Sequence, residues 1–65
     1  MNIVFSLDGA IIAATVAEWV IRDGIGVISL THSEVEEIII EPNKITVDGQ
    51  DAKILEMTPD IRKYL

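Results

Sequence analysis

Sixty-five residues, 49% of them apolar and none of them cysteine, fit one domain over residues 1–65 and exclude disulfide staples, thiolate zinc sites and a cysteine nucleophile. Eleven acidic side chains against five basic ones leave a net charge of −6, which repels nucleic acid and anionic membrane surfaces. Ile, Leu, Val and Phe make up about a third of the chain, too large a share for a disordered segment.

The first segment, Asn2 to Leu7, alternates Ile3, Phe5 and Leu7 with Asn2, Val4 and Ser6. Period two with branched and aromatic residues reads as a strand. Asp8-Gly9 ends it, and two readings compete for the next segment. Asp-Gly between apolar runs is a strong hairpin signal, which would make Ala10 onward a returning strand. Alternatively Asp8 is an N-cap and residues 10–23 form a helix.

Side-chain spacing favours the helix. Thr15, Glu18 and Arg22 fall on one polar stripe, while Ile12, Val16, Trp19 and Val20 fall on another face beside Ala13 and Ala17. Glu18 and Arg22 stand i, i+4 in the favourable order, and Gly24 sits where a helix wants a left-handed C′ residue. On this reading Trp19 is a core residue, or else an anchor in an interface, where tryptophan is over-represented.

Ile25 to Thr31 is a mostly apolar strand in which Gly26 permits a close backbone approach. Thr31 to Glu36 is ambiguous: both Thr31/Glu34 and Ser33/Glu36 match the capping-box spacing of a single helical turn. The run Ile38-Ile39-Ile40 is apolar on both faces, as suits a strand covered on both sides. Glu41-Pro42-Asn43-Lys44 is a turn, Ile45 to Val47 resumes a strand, and Asp48-Gly49 is a two-residue hairpin loop. Pairing Val47 with Gln50 gathers Ile45, Val47, Ala52 and Ile54 on one face. Thr58 as N-cap, Pro59 at N1, Asp60 in the first turn and Arg62 and Lys63 near the end predict a short terminal helix. Its Ile61, Tyr64 and Leu65 should dock on the sheet.

These elements predict a small α+β domain: strand, helix, strand, then antiparallel strands and a short C-terminal helix. The alternative is a small all-β barrel in which all three Asp-Gly pairs turn hairpins.

Chains of about 60 residues bury only about 60% of their unfolded surface, and this one has neither disulfides nor a visible structural metal site. Twelve isoleucines are more than so thin a domain hides readily, so a homo-oligomer is expected, with Ile38, Ile39, Ile40 and Trp19 as the interface candidates. The leading function is a non-enzymatic interaction or assembly module. An acidic regulator that occupies a basic site on another protein is the second reading.

A small enzyme with an intersubunit site is the third. It would use His32 with Glu34 or Glu36, a carboxylate beside a histidine being able to orient the ring for acid–base work. Against it, three glutamates in the four positions 34–37 more often form a solvated edge that prevents sheet-to-sheet aggregation. Ser33 and His32 are adjacent on an extended chain and point apart, so they make no nucleophile–base pair. Asp48, Gly49 and Asp51 fail the calcium-loop spacing, and Gly24-Ile25-Gly26 lacks the third glycine of a dinucleotide loop. No cofactor is implied. The absence of a basic leader or a long apolar run gives a cytoplasmic location as the expectation.

Overall fold

The computed structural model describes residues 1–31 and 34–65. Six strands succeed one another: β1 (Asn2–Leu7), β2 (Ala10–Arg22), β3 (Ile25–Leu30), β4 (Glu37–Glu41), β5 (Lys44–Val47) and β6 (Gln50–Thr58). Each runs antiparallel to the next, and β6 returns to β1, so the sheet closes into a barrel. A 3₁₀ turn, Ile61–Tyr64, comes after β6.

The expected α+β architecture is therefore replaced by the all-β alternative. Asp8-Gly9, Asp23-Gly24 and Asp48-Gly49 each join two strands directly, with Leu7 opposite Ala10, Arg22 opposite Ile25 and Val47 opposite Gln50. The aspartates have φ of 51, 55 and 49° and the glycines 83, 77 and 87°. Positive φ at both central residues is the type I′ turn, whose twist matches that of the flanking strands. Asp8 is thus a turn residue, not an N-cap, and Gly24 ends a strand, not a helix.

Residues 10–22 form one long strand because it serves two neighbours. Its first half pairs with β1 and its second half with β3. Between them the register shifts: Val16 faces Leu30 but Glu18 faces Ser29, leaving Ala17 as an extra residue. Such a bulge reverses the in–out alternation. Ile12, Ala14 and Val16 point inward before it, and Trp19 and Ile21 share the inner side with Ile28 and Gly26 after it. β6 has the same device. Val4 faces Glu56 and Phe5 faces Ile54, so Leu55 is the extra residue; Ala52 and Ile54 face inward before it and Met57 after it.

The barrel is filled by Ile3, Phe5, Val16, Ile28, Ile38, Ile40, Val47 and Met57. Ile61 of the 3₁₀ turn adds to them, fully buried at one end of the barrel. A Cβ on Gly26 would lie 3.3 Å from Ile61 Cδ1 and 3.7 Å from Ile40 Cβ, so the bare backbone there is what admits the plug. The terminal helix expected from Thr58 is this shorter turn. Asp60, not Thr58, caps it, its carboxylate accepting a bond from the backbone N–H of Arg62.

Candidate interaction face

Cross-strand partners share a face of a sheet, as do residues two apart along one strand. Val20 faces Val27, Val27 faces Ile39, and Ile39 faces Thr46. These four β-branched residues make a continuous row across the outside of β2, β3, β4 and β5. Val20, Val27 and Ile39 belong neither to the core nor to the half-buried ring packed on it. Val20 is 51% exposed. Val27 and Ile39 are half-buried and Thr46 is buried, so the row opens to solvent mainly at its β2 end.

Its flanks are charged, and they differ. On one side Glu18, Ser29 and Glu37 stand in register. On the other, Arg22 pairs with Ile25 and Lys44 pairs with Glu41. An acidic row, an apolar row and a row carrying two cations thus lie side by side, the apolar-centre, polar-rim pattern of an association surface.

The isoleucine run divides by strand alternation. Ile38 and Ile40 are core residues, fully out of reach of a partner, while Ile39 alone of the three faces outward. Trp19 is not buried in a helix face. It sits 41% exposed at the plugged end of the barrel, stacked on Tyr64 with ring centroids 6.2 Å apart and planes at 4°. Lys63 Nζ lies 5.1 Å from the centroid of the Tyr64 ring, completing a small exposed aromatic–cation group.

His32 and Ser33 lie outside the described residues. Glu34 and Glu36 are exposed, and the backbone N–H of Glu36 donates to the Asp48 carboxylate at 3.2 Å. Among the described residues no group of three His, Cys, Asp or Glu side chains is placed to hold a metal ion. No helix among them is long and apolar enough to cross a membrane.

Arg62 and Asp60 form an ordered ion pair. Arg62 donates from Nη2 to Asp60 Oδ2 at 2.7 Å and from Nε to Asp60 Oδ1 at 2.9 Å. The Arg62 hydrogen bonds hold the Asp60 carboxyl below its ordinary pKa, and Asp60 in turn raises that of the guanidinium.

Val20 and Val27 escape a reading of the sequence, which expects a helix at one and a mostly apolar strand at the other. The available signal is Ile25-Gly26-Val27-Ile28: apolar at both phases, so one of its two faces needs a cover from elsewhere. No family model, curated protein or solved structure compared with the chain matches it.

Proposed function

We propose that the protein is a non-enzymatic assembly module that forms a two-fold dimer through the outer face of β2, β3 and β4. The observation that carries this reading is the outward apolar row Val20–Val27–Ile39, half exposed at Val20, between an acidic flank and a flank bearing cations. Fully burying an exposed side chain of this kind is worth about 1.5–3 kcal/mol; half-exposed Val20 can gain part of that and half-buried Val27 and Ile39 less, a gain that must meet the rotational and translational losses of association.

Charge selects the geometry. A two-fold axis along the row sets Val27 on Val27 of the other copy and exchanges the flanks, so Glu18 meets Arg22 twice. Glu37 then lies over Glu41, whose charge Lys44 offsets from the neighbouring strand. An axis along the strands would instead set Glu18 against Glu37 twice and Arg22 against Glu41 twice, the same number of like and opposite pairs as the first arrangement. Like charges facing each other cost several kcal/mol, and only in the first arrangement does a cation, Lys44 beside Glu41, offset the like-charged pair, which favours it.

Val27→Asp tests the reading. An outward charge at this position leaves the barrel interior untouched, so the far-UV circular dichroism and melting transition should persist while sedimentation reports a monomer. A variant that stays dimeric contradicts the assignment of the face.

A further inference from the structure

Bordering the cation-bearing flank of that face, with which it shares Glu41 and Lys44, the barrel has an open seam. β5 and β6 pair only at Thr46–Asp51 and Val47–Gln50. Continued by one step, the register would join Ile45 to Ala52; by another, it would set Lys44 directly against Lys53. Like charges directly opposite in an antiparallel pair are destabilising, and the strands part before that pair is made. The gap between them is a cleft of about 640 Å³ with Ile45, Ala52 and Ile54 among its walls. Its size falls within the range of small-molecule sites, roughly 300–1,000 Å³.

The charge in this cleft is opposite to that of the protein. The chain has five Lys and Arg side chains and a net charge of −6, yet Lys44, Lys53 and Arg62 all line the gap, with Glu41 as the one acidic group in its walls. Arg62 holds Asp60 through Nε and Nη2, so its Nη1 makes no bond to that carboxylate. Among the described residues, Lys44 and Lys53 have no ordered ion pair.

We infer that this seam binds a small monocarboxylate with an apolar body. The carboxylate sits between Lys44 and Lys53, offsetting the repulsion that keeps the strands apart, and the hydrocarbon lies on Ile45, Ala52 and Ile54. A polyanion is disfavoured by the net negative charge outside the cleft, and a neutral apolar molecule gains no charge attraction from the two lysines.

Octanoate is the probe, with octanol and acetate as its two halves, read by amide chemical shifts of the full chain. Octanoate should give saturable shifts centred on Ile45, Lys53 and Ile54, weakening as salt is raised, while octanol and acetate at equal concentration give none that saturate. Lys53→Glu should lower octanoate affinity about tenfold or more, and Lys53→Arg should retain it. Lys53 is exposed, so neither change threatens folding. The inference is overturned if octanoate gives no saturable shift in the seam, if octanol binds as well, or if Lys53→Glu binds octanoate like the unaltered chain. Val27→Asp should bind octanoate normally, which distinguishes a failure of this inference from a failure of the association reading although Lys44 borders both.

Discussion

Asp48 and Glu37 hold each other twice: the Asp48 backbone N–H donates to the Glu37 carbonyl at 3.0 Å, and Asp48 Oδ1 accepts from the Glu37 N–H at 2.9 Å. The same side chain accepts from Glu36. One turn residue between β5 and β6 therefore anchors the start of β4, eleven positions earlier in the chain. Asp48→Ala loses these charge-assisted bonds and places alanine at a φ of 49°. Loss of about 1–3 kcal/mol is expected, read as a lower urea midpoint. Asp48→Asn, which tolerates the left-handed region and keeps one acceptor, should lose clearly less.

The extra residue in β2 makes a second prediction. Deleting Ala17 removes the bulge and forces one half of the strand into the wrong phase. Either Trp19 and Ile21 turn outward while Glu18 turns in, or the β1 half inverts. Burying Glu18 without a partner should cost about 3 kcal/mol or more, so the deletion should abolish the cooperative melt. Ala17→Gly keeps the residue count and should cost about 1 kcal/mol or less.

That bulge is also why β2 reads as a helix in the sequence. Ile12, Val16 and Trp19 stand at i, i+4 and i+7, the signature of a helical face. On a strand, a single bulge between Val16 and Glu18 converts the inward series 12, 14, 16 into 19, 21, which contains the same three positions. Periodicity cannot separate the two, because the extra residue is set by pairing with β3, information that no local window holds. The turns are more legible. Asp48-Gly49 and its register with Gln50 can be read from the sequence directly, whereas the identical dipeptides at 8–9 and 23–24 also fit the two ends of a helix. The candidate face is legible only through Ile39, since the row exists only when three strands are in register.

Gly26 and the plug supply a third prediction. A methyl at Gly26 meets the flexible end of Ile61 at 3.3 Å, so Gly26→Ala should be absorbed at a cost of about 1 kcal/mol. Gly26→Val adds bulk that this gap does not hold and should expel the 3₁₀ turn. Trp19, the single tryptophan, would lose its stack on Tyr64, and its emission should shift to the red. Unchanged emission would refute the role of Gly26 as the seat of Ile61.

A fourth concerns pH. The folded-state pKa of Asp60 is lowered by Arg62, so the pair's contribution is complete above the ordinary carboxylate range and is lost as pH falls through the depressed folded value. Carboxyl-detected NMR titration should give Asp60 a midpoint below its usual 3.8, and Arg62→Ala should raise it toward that value, the backbone N–H at position 62 still donating. The two side chains are each 42% exposed, so the effect on global stability should be slight.

Charge order across the face gives a fifth. Glu18→Arg should weaken the dimer by setting two arginines against each other, and the double variant Glu18→Arg with Arg22→Glu should restore it. Sedimentation equilibrium distinguishes these outcomes. Restoration by the swap is not expected if the two residues merely solvate the surface.

The most direct measurement is the mass of the unaltered chain in solution, by light scattering over a micromolar concentration range. Association through the outer row predicts a species of about twice 7.2 kDa that dissociates on dilution. A mass of 7.2 kDa at every concentration would contradict it.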